Sequence, residues 1–304
     1  ATGHAQPPRS RYTGRRETRT QVNSMADLES VSDILEAIAA ACETQGVATG
    51  AALAECGPNQ WEVNLRHVAD AREACDQAIR FKRIVKGVAH QNGVEATFMA
   101  KPYADAPGSG MHLHVSVLDR EGRNVFASDD VLGNDLLKQA AAGLLDTMAD
   151  GMAVFAPNAN SYRRLRPELY VPMNATWGHN NRGVAVRVPV SGPVDRRLEH
   201  RVAGADANPY LVAATLLAGM LHGIEKRLVP PDPLTGNAYT QRLTAPRLPA
   251  DWPTALARFG ASPFMREWFG ERFVTLYELT RRGEMQDFNS RLTALDYSFY
   301  LEQA

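Results

Sequence analysis

The region from residue 182 to residue 209 constrains the fold most, because apolar and polar side chains alternate along two of its segments. A turn at residues 191–193 separates these segments. In the second segment, one face is apolar and the other carries three charged side chains, which are Arg197, Glu199 and Arg201. Period-two alternation predicts half-buried β-strands. A solvated face would carry the same charges, so these strands alone leave open whether the charged face binds anything.

A third alternating segment, GSGMHLHVSV, occupies residues 108–117. Its polar face carries His112, His114 and Ser116, and the glycines before it allow another group to approach the backbone closely. Histidine binds divalent metals and donates hydrogen bonds to phosphate. Structural histidines that bind no ligand are the alternative interpretation. Two histidines and a serine on one face after a glycine-rich turn favour a binding role.

Two glutamates flank a turn at residues 57–59. Glu55 precedes the turn, and Glu62 lies in the alternating segment 60–65 that follows it. If both carboxylates converge, they suit a hard divalent cation, which prefers oxygen ligands. Unconnected surface charges would have the same spacing, so the pair indicates a metal site only in combination with other ligands.

Composition narrows the class of partner. The 304-residue chain is 44% hydrophobic and 22% charged, with a formal net charge of -1 at pH 7. This near-neutral balance argues against binding to nucleic acid or to a membrane surface. No apolar run approaches the roughly 20 residues that a membrane-spanning helix needs. Small anionic substrates need only a local group of arginines, so they remain compatible with the composition.

Cysteine usage and the N-terminal residues bear on cellular location. Cys42, Cys56 and Cys75 are odd in number and lack CxxC spacing. They argue against a disulfide framework or a zinc–cysteine site and favour a reducing cytoplasm. The chain starts with basic residues but without the apolar stretch of a signal peptide. Because it does not begin with Met and its start resembles an internal loop, we expect it to be the later part of a longer chain.

Periodicity along the chain predicts its remaining elements. Helical spacing predicts four helices, at residues 23–45, 69–92, 135–152 and 209–228. A further strand is expected around residues 95–101. Residues 229–250 are predicted to be an exposed Pro-rich connection. Residues 251–304 are predicted to be a helical part with a structural role, whose helices start at Asp251 and Ser262.

The loop after residue 156 is rich in Asn, Pro and Arg, and loops on a rigid scaffold often carry binding groups. Arg163, Arg164 and Arg166 suit a carboxylate or a phosphate, although a solvated basic turn would have the same composition. Arginines together with carboxylates and histidine suit Mg or Mn holding the phosphates of a nucleotide. The chain contains no Walker-type GxxxxGK[ST] motif and no kinase-like glycine-rich loop, which excludes a P-loop phosphate cradle.

Five motifs resemble those of the glutamine synthetase family in order and approximate spacing: AECGPNQWEV, GSGMHLHVS, NSYRRL, NNRGVAVRVP and RRLEHRVAGADANPY. The resemblance extends over essentially the whole chain, so residues 1–304 are expected to be one catalytic domain. It implies an α+β fold in which an antiparallel sheet forms a funnel-like half-barrel covered by helices. It also implies ATP-dependent ligation of the side-chain carboxylate of glutamate to an amine, through γ-glutamyl phosphate, with two or three Mg or Mn ions.

The resemblance assigns roles by position. The implied metal ligands are Glu55, Glu62, His112 and Glu199. The implied contacts to ATP are His114, Ser116, Arg182, Arg187 and Arg197. The residues implied to bind glutamate are Arg164, Arg201 and Gly108. The residues implied to act in catalysis are Arg182, Arg164 and Tyr170. Such charges are consistent with the reaction, because forming an acyl phosphate brings two anions together.

One departure from the family is that its small N-terminal β-domain and its first catalytic strand are missing. That strand carries two further metal-binding glutamates, and the small domain lends an Asp to the amine site of a neighbouring subunit. The resemblance implies a homo-oligomeric ring of subunits with sites at their interfaces. If the chain acts alone, we expect it to be weakly active or inactive.

A second departure concerns the acceptor. Where true glutamine synthetases have a Glu in the flap after the NSYRRL-like motif, this chain has Tyr170, as in the branch that makes γ-glutamyl amides of larger amines. An aromatic side chain can stack on or bound an alkylamine, and the change removes a carboxylate suited to ammonium. The sequence therefore favours an organic amine or polyamine as acceptor, with ammonia as the alternative.

Two further alternatives belong to other classes. A non-catalytic relative is disfavoured because an unused site has no need of so unfavourable a cluster of charges. A guanidino-phosphotransferase would share the arginine-rich sheet, but the NSYRRL and ANPY motifs favour a ligase. Tyr239 lies near the position at which some family members are adenylylated, but its surroundings differ, and we expect a structural role for it.

Overall fold

Helices predominate in the computed structural model, which describes residues 6–10, 12–16, 21–167, 170–240 and 244–302. The helices are α1 (Met25–Ser30), α2 (Ser32–Thr44), α3 (Ala71–Gln91), α4 (Asp135–Thr147), α5 (Met152–Phe155), α6 (Ala159–Arg164), α7 (Pro209–Glu225), α8 (Trp252–Ala261), α9 (Pro263–Phe269), α10 (Glu271–Asn289) and α11 (Ala294–Tyr300). The strands are β1 (Thr49–Ala54), β2 (Trp61–Leu65), β3 (Leu113–Val115), β4 (Trp177–His179), β5 (Val186–Val188) and β6 (Leu198–His200). This mixture confirms the predicted α+β class.

The strands form two sheets. β1 and β2 make an antiparallel hairpin, and the other four strands make a sheet in the order β3-β6-β5-β4. β6 pairs antiparallel with β3 and with β5, but β4 and β5 are parallel, so a wholly antiparallel sheet was a wrong expectation. The parallel pair is possible with a short connection because each strand has only three residues, and the loop at 180–185 can return to the start of β4.

The alternation predicted for these strands is confirmed. Leu198 and His200 lie on the core face of β6, opposite Val115 and Leu113 of β3. His200 packs against Phe155, with the two ring centroids 4.5 Å apart. Burial lowers the pKa of His200 to about 3, so its ring is a neutral part of the core near pH 7.

Helices α4 and α7 cross very closely behind the sheet. A Cβ atom on Gly143 of α4 would lie 2.1 Å from the carbonyl oxygen of Gly219 and 2.5 Å from the backbone nitrogen of Gly223. Only glycine allows this approach, because any side chain would displace backbone rather than a flexible group. Helix α7 starts as predicted, with the Asn208 side chain accepting hydrogen bonds from two backbone N–H groups.

Three predicted elements differ from the structure. The helix predicted at 23–45 is divided into α1 and α2, because Val31 leaves the helical conformation with φ -130°. No strand forms around residues 95–101; instead the backbone of Lys101 pairs with the side chain of Asn160. The Pro-rich connection is also more than an exposed linker, although several of its residues are exposed.

We call residues 231–240 and 244–248 the strap. This part of the Pro-rich connection forms backbone hydrogen bonds with the segment that precedes β4. Leu248 N–H donates to the Met173 carbonyl, and Ala175 N–H donates to the Pro246 carbonyl, at 2.9 and 3.0 Å. Leu248 is 3% exposed. The backbone bonds require the neighbouring chain, so no local pattern in the strap predicts them.

The C-terminal helices begin as predicted, with Asp251 and Ser262 capping α8 and α9. Tyr277 of α10 lies beside Phe259 and donates a hydrogen bond to the Ala153 carbonyl at 2.9 Å. Leu276, on the same helix, is 54% exposed. Among the residues that the structure describes, no helix combines the length and apolar character needed to cross a bilayer.

Replacing Gly143 tests the helix crossing. Gly143→Ala should lower the free energy of unfolding by about 1–3 kcal/mol, because overpacking forces the backbones apart. Gly87→Ala in α3 is the matched control, since its Cβ meets nothing within 4 Å and Ala is the better helix former. Urea unfolding measures both. Equal stability of the two variants would contradict the close crossing.

Alkaline unfolding tests the burial of Tyr277. Burial raises its pKa to about 12, above the unfolded value of about 10, so its stabilising contribution is lost as pH rises between these values, by about 1.4 kcal/mol per pH unit. Tyr277→Phe loses one hydrogen bond, worth about 1 kcal/mol, but its free energy of unfolding does not fall with pH in this range through residue 277. The variant should be less stable than the parent at pH 8 and equal to it near pH 11, in urea unfolding at each pH.

The control for this experiment is Tyr297→Phe, because Tyr297 is 56% exposed. Its stability should follow the parent at every pH. A Tyr277→Phe deficit that stays constant up to pH 11 would show that Tyr277 is not buried as described.

Candidate active site

One row of side chains crosses the polar face of the four-stranded sheet. His114 of β3 lies opposite Glu199 of β6, which lies opposite Arg187 of β5. Arg187 in turn lies opposite Gly178 of β4. Directly opposed residues share a face of the sheet, so the register alone brings three predicted site residues together.

Glu199 is the centre of this row and is only 2% exposed. One carboxylate oxygen lies 2.6 Å from an Arg187 nitrogen, and the other lies 2.6 Å from an Arg201 nitrogen. The ring nitrogens His112 Nδ1 and His114 Nε2 lie 3.4 and 3.8 Å from that second oxygen. Four of the predicted site residues therefore surround one buried carboxylate.

The two histidines are held as neutral rings. Burial lowers the pKa of His112 well below its ordinary value, and Arg201 and Arg164 lower it further. Burial also lowers the pKa of His114, against the opposing influence of Glu199. His114 Nδ1 accepts a hydrogen bond from Arg197 Nε at 3.2 Å. Neutral imidazoles keep a lone pair for a cation or a donor.

The hairpin of β1 and β2 brings Glu55 and Glu62 together. Burial raises the pKa of the Glu62 carboxyl, and the charge of Glu55, a hydrogen bond with Glu55 and the charge of Glu199 raise it further. These three carboxylates therefore lie near enough to repel one another. A site of this kind favours either protonation or a cation.

Gln60 attaches this hairpin to the glycine-rich loop. Its amide donates to the Gly108 carbonyl at 3.0 Å and to the Ser109 hydroxyl at 3.1 Å, while its own carbonyl accepts from Gly57 N–H at 2.8 Å. Sequence reasoning did not assign Gln60 a role. Its place between Glu55 and Glu62 in ECGPNQWE was the available signal.

Arg164 lies beneath the glycine-rich loop and is 4% exposed. Its Nη1 donates to the Val202 carbonyl at 2.7 Å. A Cβ on Gly108 would lie 2.8 Å from Arg164 Cγ, and one on Gly110 would lie 2.7 Å from Arg164 Nη2 and 3.4 Å from His112 Nε2. The glycines therefore admit the guanidinium to a position beside His112, which is the close approach that the sequence predicted.

A capping network, absent from the sequence predictions, holds the helix that carries Arg164. The Asn158 side chain caps α6, and Asp206 accepts hydrogen bonds from Asn158 at 2.9 Å and from Ser161 at 2.7 Å. Asn three residues before Ser is a helix-start signal that was available. The partnership with Asp206, 48 residues away, was not.

The remaining predicted residues lie around this centre with fewer contacts. Arg182 is exposed in the turn before β5, close enough to lower the pKa of Cys56, which burial and Glu55 raise. Ser116 is half-buried just beyond β3. Tyr170 is 63% exposed and has φ 56°, which is unusual for an aromatic residue.

The centre is suited to anions and cations together. Buried Nε–H groups of Arg164, Arg187 and Arg201 have no hydrogen-bond partner within the described residues, and such donors fit an anionic ligand. No three His, Cys, Asp or Glu side chains in the described ranges form a ready metal cage. The donor set of Glu55, Glu62 and His112 is nevertheless of the type that holds a divalent cation.

Comparison with known proteins agrees with this chemistry. The family model described as "Glutamine synthetase, catalytic domain" matches residues 1–300. Gamma-glutamylputrescine synthetase PuuA of Escherichia coli strain K12 is 41% identical over 305 residues, which is 100% of this chain and 64% of that protein. Glutamate–isopropylamine ligase of a Pseudomonas species is 36% identical over 283 residues, which is 92% of this chain and 61% of that protein.

A solved structure titled as a GmaS/ADP complex superposes with a TM-score of 0.86 and 29% sequence identity. The match covers 94% of this chain and 67% of that chain. The chain thus spans less than two thirds of the length of either curated relative named above.

Removing the central carboxylate tests the site as a structural unit. Glu199→Gln should lower the free energy of unfolding by about 3–5 kcal/mol, because it leaves two buried guanidinium groups without a counter-charge. Asp287→Asn is the control, since its pair with Arg291 is exposed and contributes little. Urea unfolding in the presence of a chelator measures both. A loss no larger than that of the control would contradict the buried ion-pair arrangement.

Proposed function

Because this chain belongs to the glutamine synthetase family, we propose that it carries the catalytic site of an ATP-dependent ligase that joins the γ-carboxylate of glutamate to an organic amine. The observation that carries the proposal is a group of three arginines. Arg187 and Arg201 bind Glu199, and both of them, like the buried Arg164, keep an Nε–H donor with no partner among the residues that the structure describes. A pocket of this kind suits two anionic substrates brought into contact.

The reaction has two steps. In the first, an oxygen of the γ-carboxylate attacks the γ-phosphorus of ATP, so that a new O–P bond forms, the bond to ADP breaks, and γ-glutamyl phosphate results. In the second, the amine nitrogen attacks the γ-carbonyl carbon, phosphate leaves, and one proton is lost to give the amide. Both steps concentrate negative charge, so neutralisation and alignment are the main demands on the protein.

The described residues divide these tasks by position. Arg187 and Arg197, with the exposed Arg182, would face the phosphates of ATP, next to His114 and Ser116. Arg164 and Arg201 would hold glutamate, with the carbonyl and close backbone approach at Gly108 completing its pocket. Rigid holding of these groups is consistent with their contacts, because Arg164 and Arg201 each donate to a fixed acceptor.

Divalent cations are part of the proposal. Glu55 and Glu62 would hold one ion, and His112 and Glu199 another, with Mg or Mn as the metal. A bound ion would supply Lewis-acid neutralisation of phosphate oxygens. For Glu199 to serve, one of its two arginine partners must turn towards the phosphates, which fits the unpaired Nε–H groups of Arg187 and Arg201.

The acceptor is the finer part of the proposal. Tyr170 is exposed, and its ring would offer an aromatic face to an alkylamine. The relatives named gamma-glutamylputrescine synthetase and glutamate–isopropylamine ligase use, by their names, amines with carbon chains. We therefore propose an alkylamine or polyamine rather than ammonia.

The assembly we propose is a homo-oligomeric ring, as the family resemblance implies. The apolar side chains exposed on α11, among them Leu295 and Phe299, are consistent with burial against another subunit. Because a neighbour would complete the amine pocket, activity is best measured on the protein at the full length that its gene encodes.

An acceptor panel tests the proposed function. Turnover with putrescine, spermidine, ethanolamine, methylamine and ammonium should be highest for one of the organic amines, because Tyr170 replaces a carboxylate suited to ammonium. Amide formed and phosphate released are measured together with ATP and Mn present. Ammonium as clearly the best acceptor would overturn the acceptor assignment, and no ATP-dependent amide with any amine would overturn the function.

Tyr170→Glu is the companion variant. It should raise kcat/KM for ammonium and lower it for the best organic amine, each by roughly ten-fold. The reason is that ammonium gains, and the organic amine loses, an interaction of about 1.4 kcal/mol. Asp287→Asn, which removes an exposed charge near the end of α10, is a control that should leave the ratio unchanged. An unaltered ratio in Tyr170→Glu would show that residue 170 does not select the acceptor.

A further inference from the structure

The strap forms one wall beside the polar row. The Trp177 indole N–H donates to the Pro231 carbonyl at 2.6 Å, and Leu234 N–H donates to the Trp177 carbonyl at 2.8 Å. The Asn181 amide donates to the carbonyls of Leu234 and Gly236 at 3.1 and 2.9 Å. The strap is thereby fixed to β4 and to the turn that carries Arg182.

Two glycines let the strap approach this closely. A Cβ on Gly178 would lie 2.6 Å from the Leu234 carbonyl oxygen, and a Cβ on Gly183 would lie 2.9 Å from Ala238 Cβ. Gly178 belongs to the polar row, and Gly183 follows Arg182 directly. The strap is therefore packed against the site itself.

Tyr239 extends from the strap to the segment that carries Tyr170. Its backbone N–H donates to the Asn237 side chain at 2.9 Å, and its hydroxyl donates to the Val171 carbonyl at 3.3 Å. Burial raises the pKa of this phenol, and Arg201, Tyr170 and Arg164 all influence it. Tyr239 thus lies within electrostatic range of both arginines assigned to glutamate and of the residue assigned to the acceptor.

Tyr170 needs such support. Its φ of 56° lies in the left-handed region, which is unfavourable for a bulky side chain and persists only where neighbours hold it. Its own side chain is 63% exposed, so packing of the ring cannot supply that support. The next residue, Val171, is 3% exposed, and the hydroxyl of Tyr239 holds its carbonyl.

We propose that Tyr239 is a positioning residue for acceptor selection: its hydroxyl bond to the Val171 carbonyl holds the adjacent Tyr170 in place. The tether itself is independent of the reaction, whereas its effect on the acceptor rests on the proposed function. Tyr239 would have this role without being adenylylated.

Hydrogen–deuterium exchange tests the tether without reference to activity. In Tyr239→Phe the ring remains and only the hydroxyl is lost, so exchange should become faster in the Ala175 and Leu248 amides that join the strap to the segment after Tyr170. Amides of α8 should exchange as in the parent. Unchanged exchange at Ala175 and Leu248 would overturn the tether.

Kinetics test the role in selection. Tyr239→Phe should raise KM for the best organic amine by roughly three- to ten-fold, the size expected for one hydrogen bond, with KM for ATP changed less than two-fold. Phosphate released per amide formed should rise, because a displaced Tyr170 leaves the acyl phosphate more open to water. If kcat falls while every KM and the ratio of phosphate to amide stay unchanged, Tyr239 has only a general structural role. That result would overturn the proposal.

Two variants separate the possible failures. Tyr239→Leu removes ring and hydroxyl, and its effect on the acceptor KM should be at least as large as that of Tyr239→Phe. Asp287→Asn removes an exposed charge near the end of α10 and should leave exchange and kinetics unchanged. If the parent forms no amide with any amine, the proposed function fails, but the exchange experiment still decides whether Tyr239 holds the segment.

Discussion

The buried carboxylate of Glu199 is the interaction on which the site depends. Its two oxygens bind Arg187 and Arg201 at 2.6 Å each, and two histidines lie within 4 Å. A buried ion pair stabilises only where desolvation is offset by good geometry and further hydrogen bonds. Within the described residues, the Nε–H groups of both arginines have no partner, so they are available to an anionic ligand.

The second requirement is glycine at positions where two backbones, or a backbone and a side chain, approach closely. Gly108 and Gly110 admit Arg164, Gly178 and Gly183 admit the strap, and the glycines of α4 and α7 allow the helices behind the sheet to cross closely. Each contact would otherwise place a Cβ within 3 Å of another atom. These glycines join elements that are far apart in sequence, so they couple the position of the site to the global fold.

Much of the site followed from local pattern. Alternation placed His114, Glu199 and Arg187 on polar faces, and the register confirms that they form one row. Helix starts at Asn208, Asp251 and Ser262 followed from capping chemistry. The failures were of another kind: the strand expected at 95–101, the parallel pairing of β4, and the strap all depend on which distant backbone supplies the partner, and periodicity contains no information about that.

The sequence by itself determined the family, the α+β class and the face on which each charged strand residue lies. These features depend on residue type and on spacing within one segment. Only the tertiary structure decided that each carboxylate oxygen of Glu199 binds an arginine. It also decided that Gln60 holds the β1–β2 hairpin, that Asp206 holds helix α6, and that the Tyr239 hydroxyl binds the Val171 carbonyl. Gln60, Asp206 and Tyr239 reach partners 45 to 68 positions away along the chain. Arg187 binds Glu199 across neighbouring strands, and Arg201 binds it from two residues further along the chain. Distance and burial, rather than composition, decide which of these groups meet.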